Sequence, residues 1–333
     1  PRPAHPAGGL SMRVLKSPKI AVGLGLFVFF ALMAIIGPSI APYPDPLKLV
    51  GTPWQHPSGQ HWLGTTQQGQ DVYSQLLIGA RPTLVISLIA GAIATVLSVI
   101  IGVAAGFFGG IGDNLLSMLA NVFLVLPALP FLIVINSYLP AGGKSNSVLL
   151  AAIISLTGWA WGARVLRAQT LSMRKRDFVD AARISGERSW RIIVFEIVPN
   201  LVPVIAASFL FTTLYAMGTY VALTFVGAVD VNAPWSWGSM LFWAQGDQAA
   251  ASGAWVWFAA PGVAVALLGT SLALLNFGID EFINPRLRAA GLTRKGLRAA
   301  GITRRHTLGL TPVVRPAAAP AVASPAEIIE ETV

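Results

Sequence analysis

The sequence predicts an all-α protein, a polytopic bundle with six membrane-crossing helices, and three observations carry that prediction. Hydrophobic residues make up 54% of the 333 and charged residues only 11%, against roughly 25% charged in an ordinary soluble domain. Mean hydropathy is +0.67, so lipid is the solvent for most of the chain. Finally, the basic residues cluster beside apolar runs, where they act as topology signals despite a net charge of +9.

A membrane helix needs about 20 apolar residues, because lipid offers backbone N–H and C=O groups no partner. Six stretches qualify: Ile20–Ile40, Thr83–Phe108, Leu115–Leu139, Val148–Ala163, Ile197–Val229 and Ala254–Ile279. The fourth is short unless it runs into Arg164, and the fifth has room for an interfacial turn. With six spans, 20 of the 23 Lys and Arg residues fall on one side, before the first span, within 164–191 and after the sixth. That side is expected to be cytoplasmic, with both termini inside. Pro38 to Pro46 gives a proline-rich exit instead of a small-residue cleavage site, so the first span reads as a retained anchor.

Composition also excludes chemistry. Without cysteine there is no disulfide framework, thiolate metal site or cysteine nucleophile. None of the six stretches contains an acidic or basic side chain, which argues against a proton-coupled carrier or voltage sensor. His5, His56, His61 and His306 all lie outside them and read as solvated loop residues, although His56 and His61 could touch a partner. No catalytic residue, metal site or nucleic-acid contact is expected. Glycines and prolines within the spans, among them Gly91, Gly102, Gly106, Pro127, Pro203 and Pro261, suit close helix contact and bending.

The most informative segment is Arg174 to Asn200, RKRDFVDAARISGERSWRIIVFEIVPN. It reads as two helices hinged at Gly186. Asp177 and Asp180 open the first, Ala181, Ala182 and Ile184 give it a small-residue face, and Gly186 ends it. Trp190, Ile193, Val194 and Ile197 recur at helical spacing on the second, and Pro199-Asn200 is expected to break that helix at the membrane. Periodicity alone would also fit an amphipathic hairpin lying on the membrane surface.

The spacing from Asp180-Ala181-Ala182 through Gly186 to Pro199 resembles the EAA loop of binding-protein-dependent ABC importer permeases, with Asp180 for Glu, Glu196 for Ile and Val198 for Leu. Further segments resemble the C-type subunit of dipeptide and oligopeptide importers. They are His61-Trp62-Leu63-Gly64-Thr65, Gly69-Gln70-Asp71-Val72, Gly79-Ala80-Arg81, the turn Gly106 to Gly110 with Asp113-Asn114, Trp235 to Met240, Pro261-Gly262, and Asn276 to Gly278 followed by Asp280 and Asn284 to Arg288. Gln70 stands where that family usually has Arg. The resemblance implies an ABC type I importer permease-like fold in a bacterial inner membrane and a coupling loop docking on a cytoplasmic ATPase. It implies four kinds of surrounding: a homologous second permease subunit, two ATP-binding cassette subunits, an extracytoplasmic peptide-binding protein and the lipid bilayer. ATP and Mg would act in the partner ATPases, because this chain carries no glycine-rich phosphate loop.

The expected organisation is a cytoplasmic segment 1–19, a first helix 20–40, an external cap 41–81, a five-helix core 82–279 with its coupling loop at 164–200, and a tail 280–333. Within the cap, residues 67–78 read as helical. Trp235, Trp237 and Trp243 read as an interfacial aromatic belt. Thr212, Thr213, Tyr215, Tyr220 and Asn276 are polar groups in spans five and six that could line a passage or join helices. The repeat within 287–305 reads as a basic, lipid-attracted extension and 312–333 as disordered. The expected function is therefore half of a translocation pathway for di- or oligopeptides. Nickel, glutathione or antimicrobial-peptide cargo keeps the same machine, and an autonomous channel or membrane scaffold is the reading from another class.

Overall fold

The computed structural model describes residues 18–283 and is helical, with no strand among the described residues beyond an isolated bridge between Thr65 and Asp71. Residues 1–17 of the expected segment 1–19 and everything after 283, including the basic repeat, lie outside the described residues. Five helices are long and apolar enough to span a membrane, and a bent helix pair brings the number to six when it is counted as one span.

Helix α1, Pro18–Ile40, forms the first span. It packs on the last helix, where Ser271 Oγ donates to the Gly23 carbonyl at 2.8 Å. Helix α2, Val72–Phe108, has 37 residues, about 55 Å of helix against a hydrocarbon core of about 30 Å. Its first turns therefore stand outside the membrane. The expected external helix and second span are one continuous element, and the boundary drawn between residues 81 and 82 falls inside it. Asp71 starts α2 by accepting from the Ser74 N–H at 2.8 Å.

The third span is broken. Helix α3, Gly110–Val125, and helix α4, Ala128–Ser137, meet at 88°. Proline disfavours helical backbone in the residue before it, and Leu126, preceding Pro127, is extended. After the short helix α5, Ala141–Lys144, helix α6 runs over Ser147–Met173, with Asn146 capping the N–H groups of Val148 and Leu149. It passes well beyond Ala163, so Arg164 and Arg167 are helical residues of the fourth span and not part of a loop.

Helix α7, Asp177–Ile184, and helix α8, Ser189–Arg191, lead into a π-helical turn, Ile192–Ile197, and then helix α9, Val198–Phe225. The expected break at Pro199 does not occur. The Val198 N–H reaches back five residues to Ile193, and this wider turn makes room for a proline ring that would otherwise crowd the carbonyl four residues earlier. Helix α10, Trp237–Gly246, begins at a reciprocal Ser236–Ser239 cap, and helix α11, Trp255–Ile283, completes the bundle.

Helix α2 is the central post and touches α1, α6 and α9. Glycine permits the approach: a Cβ on Gly91 would lie 2.9 Å from Thr213 Cα, one on Gly102 3.0 Å from Ala163 Cα, and one on Gly106 2.8 Å from the Arg167 carbonyl. Backbone atoms cannot swing aside as a flexible side chain can. Gly102→Ala is therefore expected to lower stability by about 1–3 kcal/mol. Gly25→Ala, which meets nothing within 4 Å, should be neutral or stabilising by up to about 1 kcal/mol. Thermal unfolding of the two variants in detergent checks both signs.

Candidate functional site

At one end of the bundle the chain between α6 and α9 forms the expected helical hairpin. Asp177 and Asp180 lie in the first turn of α7 and Arg183 in its last, which complements the helix dipole. Gly186 ends it at φ 78°, a left-handed backbone that glycine adopts freely. Its N–H donates to the Arg183 carbonyl at 3.0 Å and that of Glu187 to Ala182 at 3.1 Å, so the last helical carbonyls are satisfied.

The hairpin is seated by one apolar side chain. Val179 is fully buried in a cluster with Phe107 of α2, Leu166 of α6, and Ile192, Ile197 and Leu201 of the following segment, with Ala182 at its edge. Two cations reinforce the seat: the Arg183 guanidinium lies 5.5 Å from the centre of the Phe107 ring, and Arg174 Nη1 donates to the Gly106 carbonyl at 3.1 Å at the end of α2.

The sequence-selected residues divide into two groups here. Asp180 is exposed and paired with Arg183 at 3.2 Å. Ala181, Trp190 and Pro199 are exposed, and Ala182 is half-buried. Of the apolar stripe on the second helix, Ile197 is buried, whereas Trp190 and Val194 face outward. Ile184, 87% exposed, and Phe195, 61% exposed, also face outward, with the Phe195 ring 6.4 Å from that of Trp190, so apolar side chains stand uncovered along the hairpin and the turn that follows it.

The polar residues of spans five and six sit mainly in helix contacts. Thr212 Oγ1 lies 3.0 Å from Thr95 Oγ1 and donates to the Ser208 carbonyl at 2.9 Å, and Tyr215 Oη lies 2.9 Å from Thr157 Oγ1. Thr213 and Tyr220 are buried, Thr213 directly against Gly91. Asn276 is half-buried, with its Oδ1 unpartnered among the described residues.

An acid–base pair that loop assignment had hidden joins α3 to α6. Asp113 accepts from Arg167 through both oxygens, Nη2 to Oδ2 at 2.7 Å, and from Ser117 Oγ at 3.0 Å. The six apolar stretches stay free of charge, but their helices do not end with them: α3 begins five residues before Leu115 and α6 ends ten after Ala163. Both helices carry ionic groups near the hairpin end.

The opposite end carries the cap, and here two expectations change. His61 is no solvated loop residue; it is 4% exposed, with Nδ1 2.9 Å from Asp71 Oδ1, while His56 is exposed. Gln70 takes part in a neutral network, accepting from Gln75 Nε2 at 2.8 Å and donating to the Leu47 carbonyl at 3.3 Å. Trp235 and Trp237 do not form an interfacial belt. Both are buried, and Trp237 packs edge-on to Phe30 at 5.6 Å and donates from Nε1 to the Leu76 carbonyl at 3.0 Å. An indole gains more from burial when its N–H finds a carbonyl than from a place at the interface. Trp243, half-buried, reaches Asn232 at 3.3 Å.

The model of the binding-protein-dependent transport system inner membrane component matches residues 98–289, from the middle of α2 through the hairpin to the last helix. The chain belongs to this family. A second model, the N-terminal transmembrane domain of oligopeptide transport permease C, matches residues 9–55, which include α1 and the start of the cap. The dipeptide transport system permease protein of Bacillus subtilis is 31% identical over 83% of this chain and 85% of its own length. The oligopeptide transport system permease proteins of Bacillus subtilis and Mycobacterium tuberculosis are 29% and 27% identical over 84% and 86% of this chain, and over 89% and 96% of their own. In this member of the family, the main match covers the hairpin and its seat, and of the cap only residues 41–55 fall within a match.

Asp71 serves three partners: the Ser74 backbone, the Ser74 hydroxyl at 2.7 Å and His61. Asp71→Ala should therefore cost at least the about 0.5–2 kcal/mol of a lost N-cap. The loss should appear in hydrogen exchange as faster opening of the first turns of α2, with the hairpin end unchanged.

Proposed function

We propose that this chain is one of two membrane-embedded halves of an ATP-driven importer of di- or oligopeptides. Family membership supports the transport role, and the dipeptide and oligopeptide relatives support the cargo class. The single observation that carries the coupling mechanism is that apolar side chains stand uncovered on a hairpin whose root is buried among α2, α6 and α9. Such a knob gives a partner something to hold and gives the bundle something to move.

In this reading Asp180, Ala181, Ala182, Gly186, Trp190 and Pro199 belong to the segment that docks on a cytoplasmic ATP-binding cassette subunit. ATP and Mg act in two such subunits, and hydrolysis is theirs. The hairpin end is cytoplasmic, as the concentration of basic residues there supports, and both termini lie on that side. The cap faces an extracytoplasmic peptide-binding protein, and a homologous permease completes the pathway. Thr212, Thr213, Tyr215, Tyr220 and Asn276 remain the proposed pathway residues, reached when the helices part. Nucleotide binding by the partners favours one bundle arrangement only through contacts that differ between arrangements, and the docked hairpin supplies them.

The test is ATP hydrolysis by the complex purified through this chain and reconstituted in liposomes with its external receptor. Peptides should stimulate turnover, and Trp190→Ala should weaken attachment of the ATPase by about 2 kcal/mol, roughly thirtyfold. Stimulation by chelated nickel alone would overturn the cargo assignment, and failure of any ATPase to copurify would favour a channel or scaffold.

A further inference from the structure

A cavity of about 300 Å³ opens between α2, α3 and α6 near the hairpin end. Its floor is made by small residues: Gly102, Ala105, Ala120 and Ala163 are all buried. Its rim is cationic, with Arg164 and Arg167 both lining it.

The two arginines are not equally neutralised. Arg167 is held by Asp113 through two hydrogen bonds. Arg164 is exposed and donates from Nη2 to Asn121 Oδ1 at 2.6 Å, an acceptor that carries no charge. The guanidinium has five N–H donors in a planar fork suited to phosphate. It is anchored at one corner by Asn121 and keeps donors for a ligand.

Depth narrows the choice of ligand. Gly102 and Ala105 lie three to six residues before the end of α2 at Phe108, about 5–9 Å along the axis. The cavity thus lies about one to two helical turns inside the end of the spanning helix. Ile101 and Leu116 give the cavity its larger apolar lining, while Leu115, 57% exposed, and Met118, 60% exposed, stand on the other side of α3. A small pocket of mixed polarity with a cationic rim, on a helix whose other side is apolar and exposed, matches an amphiphile that carries a phosphate.

We infer that the Arg164–Arg167 cavity binds the phosphate headgroup of an anionic phospholipid, with the acyl chains lying along α3. Basic pockets between membrane helices on the cytoplasmic side suit such headgroups, and that leaflet is rich in them. Only the choice of leaflet rests on the orientation proposed above; cavity and charges do not. The occupied site would hold α3 against α6 beside the Asp113–Arg167 pair, at the root of the hairpin.

The test is native mass spectrometry of the assembly purified through this chain and reconstituted in nanodiscs of equal parts phosphatidylcholine and phosphatidylglycerol. Wild type should retain phosphatidylglycerol on release, and Arg164→Gln should lower that retained occupancy about fivefold, the effect of removing one cation near the surface. Arg164→Lys, which keeps the charge, should restore much of it. Unchanged retention in Arg164→Gln would overturn the site. If inorganic phosphate at low millimolar concentration displaces the lipid fully, the pocket selects a free anion and the lipid assignment fails. Because this readout involves neither transport nor ATP, its failure is distinguishable from failure of the proposed import function. Loss of peptide-stimulated ATP hydrolysis in Arg164→Gln with lipid retention intact would instead place Arg164 on the cargo path and overturn the inference.

Discussion

The close approach of α2 to α6 and α9 is the constraint on which the rest of the structure depends. Lipid tails are as apolar as leucine, so burial does not hold membrane helices together; contact at short range does. Glycine at positions 91, 102 and 106 lets backbone meet backbone along the whole post. The contact at Gly106 also leaves its carbonyl within reach of Arg174 and sets Phe107 beneath Arg183. The seat of the hairpin is thus a consequence of helix packing one turn deeper.

The two ends of the bundle solve different problems. At the hairpin end a mixed apolar and cationic seat fixes a short helix whose outer face stays uncovered. At the cap end, polar groups are buried and most of them pair, because an unpaired buried group costs about 1–3 kcal/mol; Gln75 Oε1 and the Trp235 and Trp257 indole N–H groups are the exceptions among the described residues. Asp71 meets that demand by serving α2, Ser74 and His61 together. Indoles lock the cap to the bundle, Trp237 through the Leu76 carbonyl and Trp257 against Trp54 at 6.1 Å between ring centres. One end is built to stay, and the other offers a handle.

Most of the fold was legible because hydropathy and helix length are tied in a membrane. All six crossings were expected, and the hairpin with its glycine turn follows from spacing alone. The misplacements have a common physical origin. Apolar runs mark where lipid is, and helices continue past it: α2 extends outward through Arg81, and α6 continues through Arg164 and Arg167. Ionic residues just beyond an apolar run were therefore assigned to loops, and the Asp113–Arg167 pair, separated by 54 residues in sequence, was invisible. The asymmetry of one apolar run beginning after Asp-Asn in α3 and the following run ending in Arg-x-x-Arg in α6 is the signal that could have suggested it. For the tryptophans, identity gives no clue to burial: Trp237 finds the Leu76 carbonyl, whereas Trp235 is buried with its N–H unpartnered among the described residues. Pro199 escaped its usual role because a π turn precedes it, a feature that leaves no mark in composition.

The central claim is that the hairpin and the adjoining ends of α2, α3 and α6 move as one body, so that a pull on the hairpin is delivered to the bundle. The chain contains no cysteine, so within it spin labels attach only at Ser185→Cys and Ile111→Cys. The decisive measurement is their separation by pulsed electron resonance in the assembled transporter, without nucleotide and with a non-hydrolysable ATP analogue. The account predicts the same distance distribution in both states. A clear shift of the main distance would mean that the hairpin hinges at Gly186 independently of the bundle, and would contradict it.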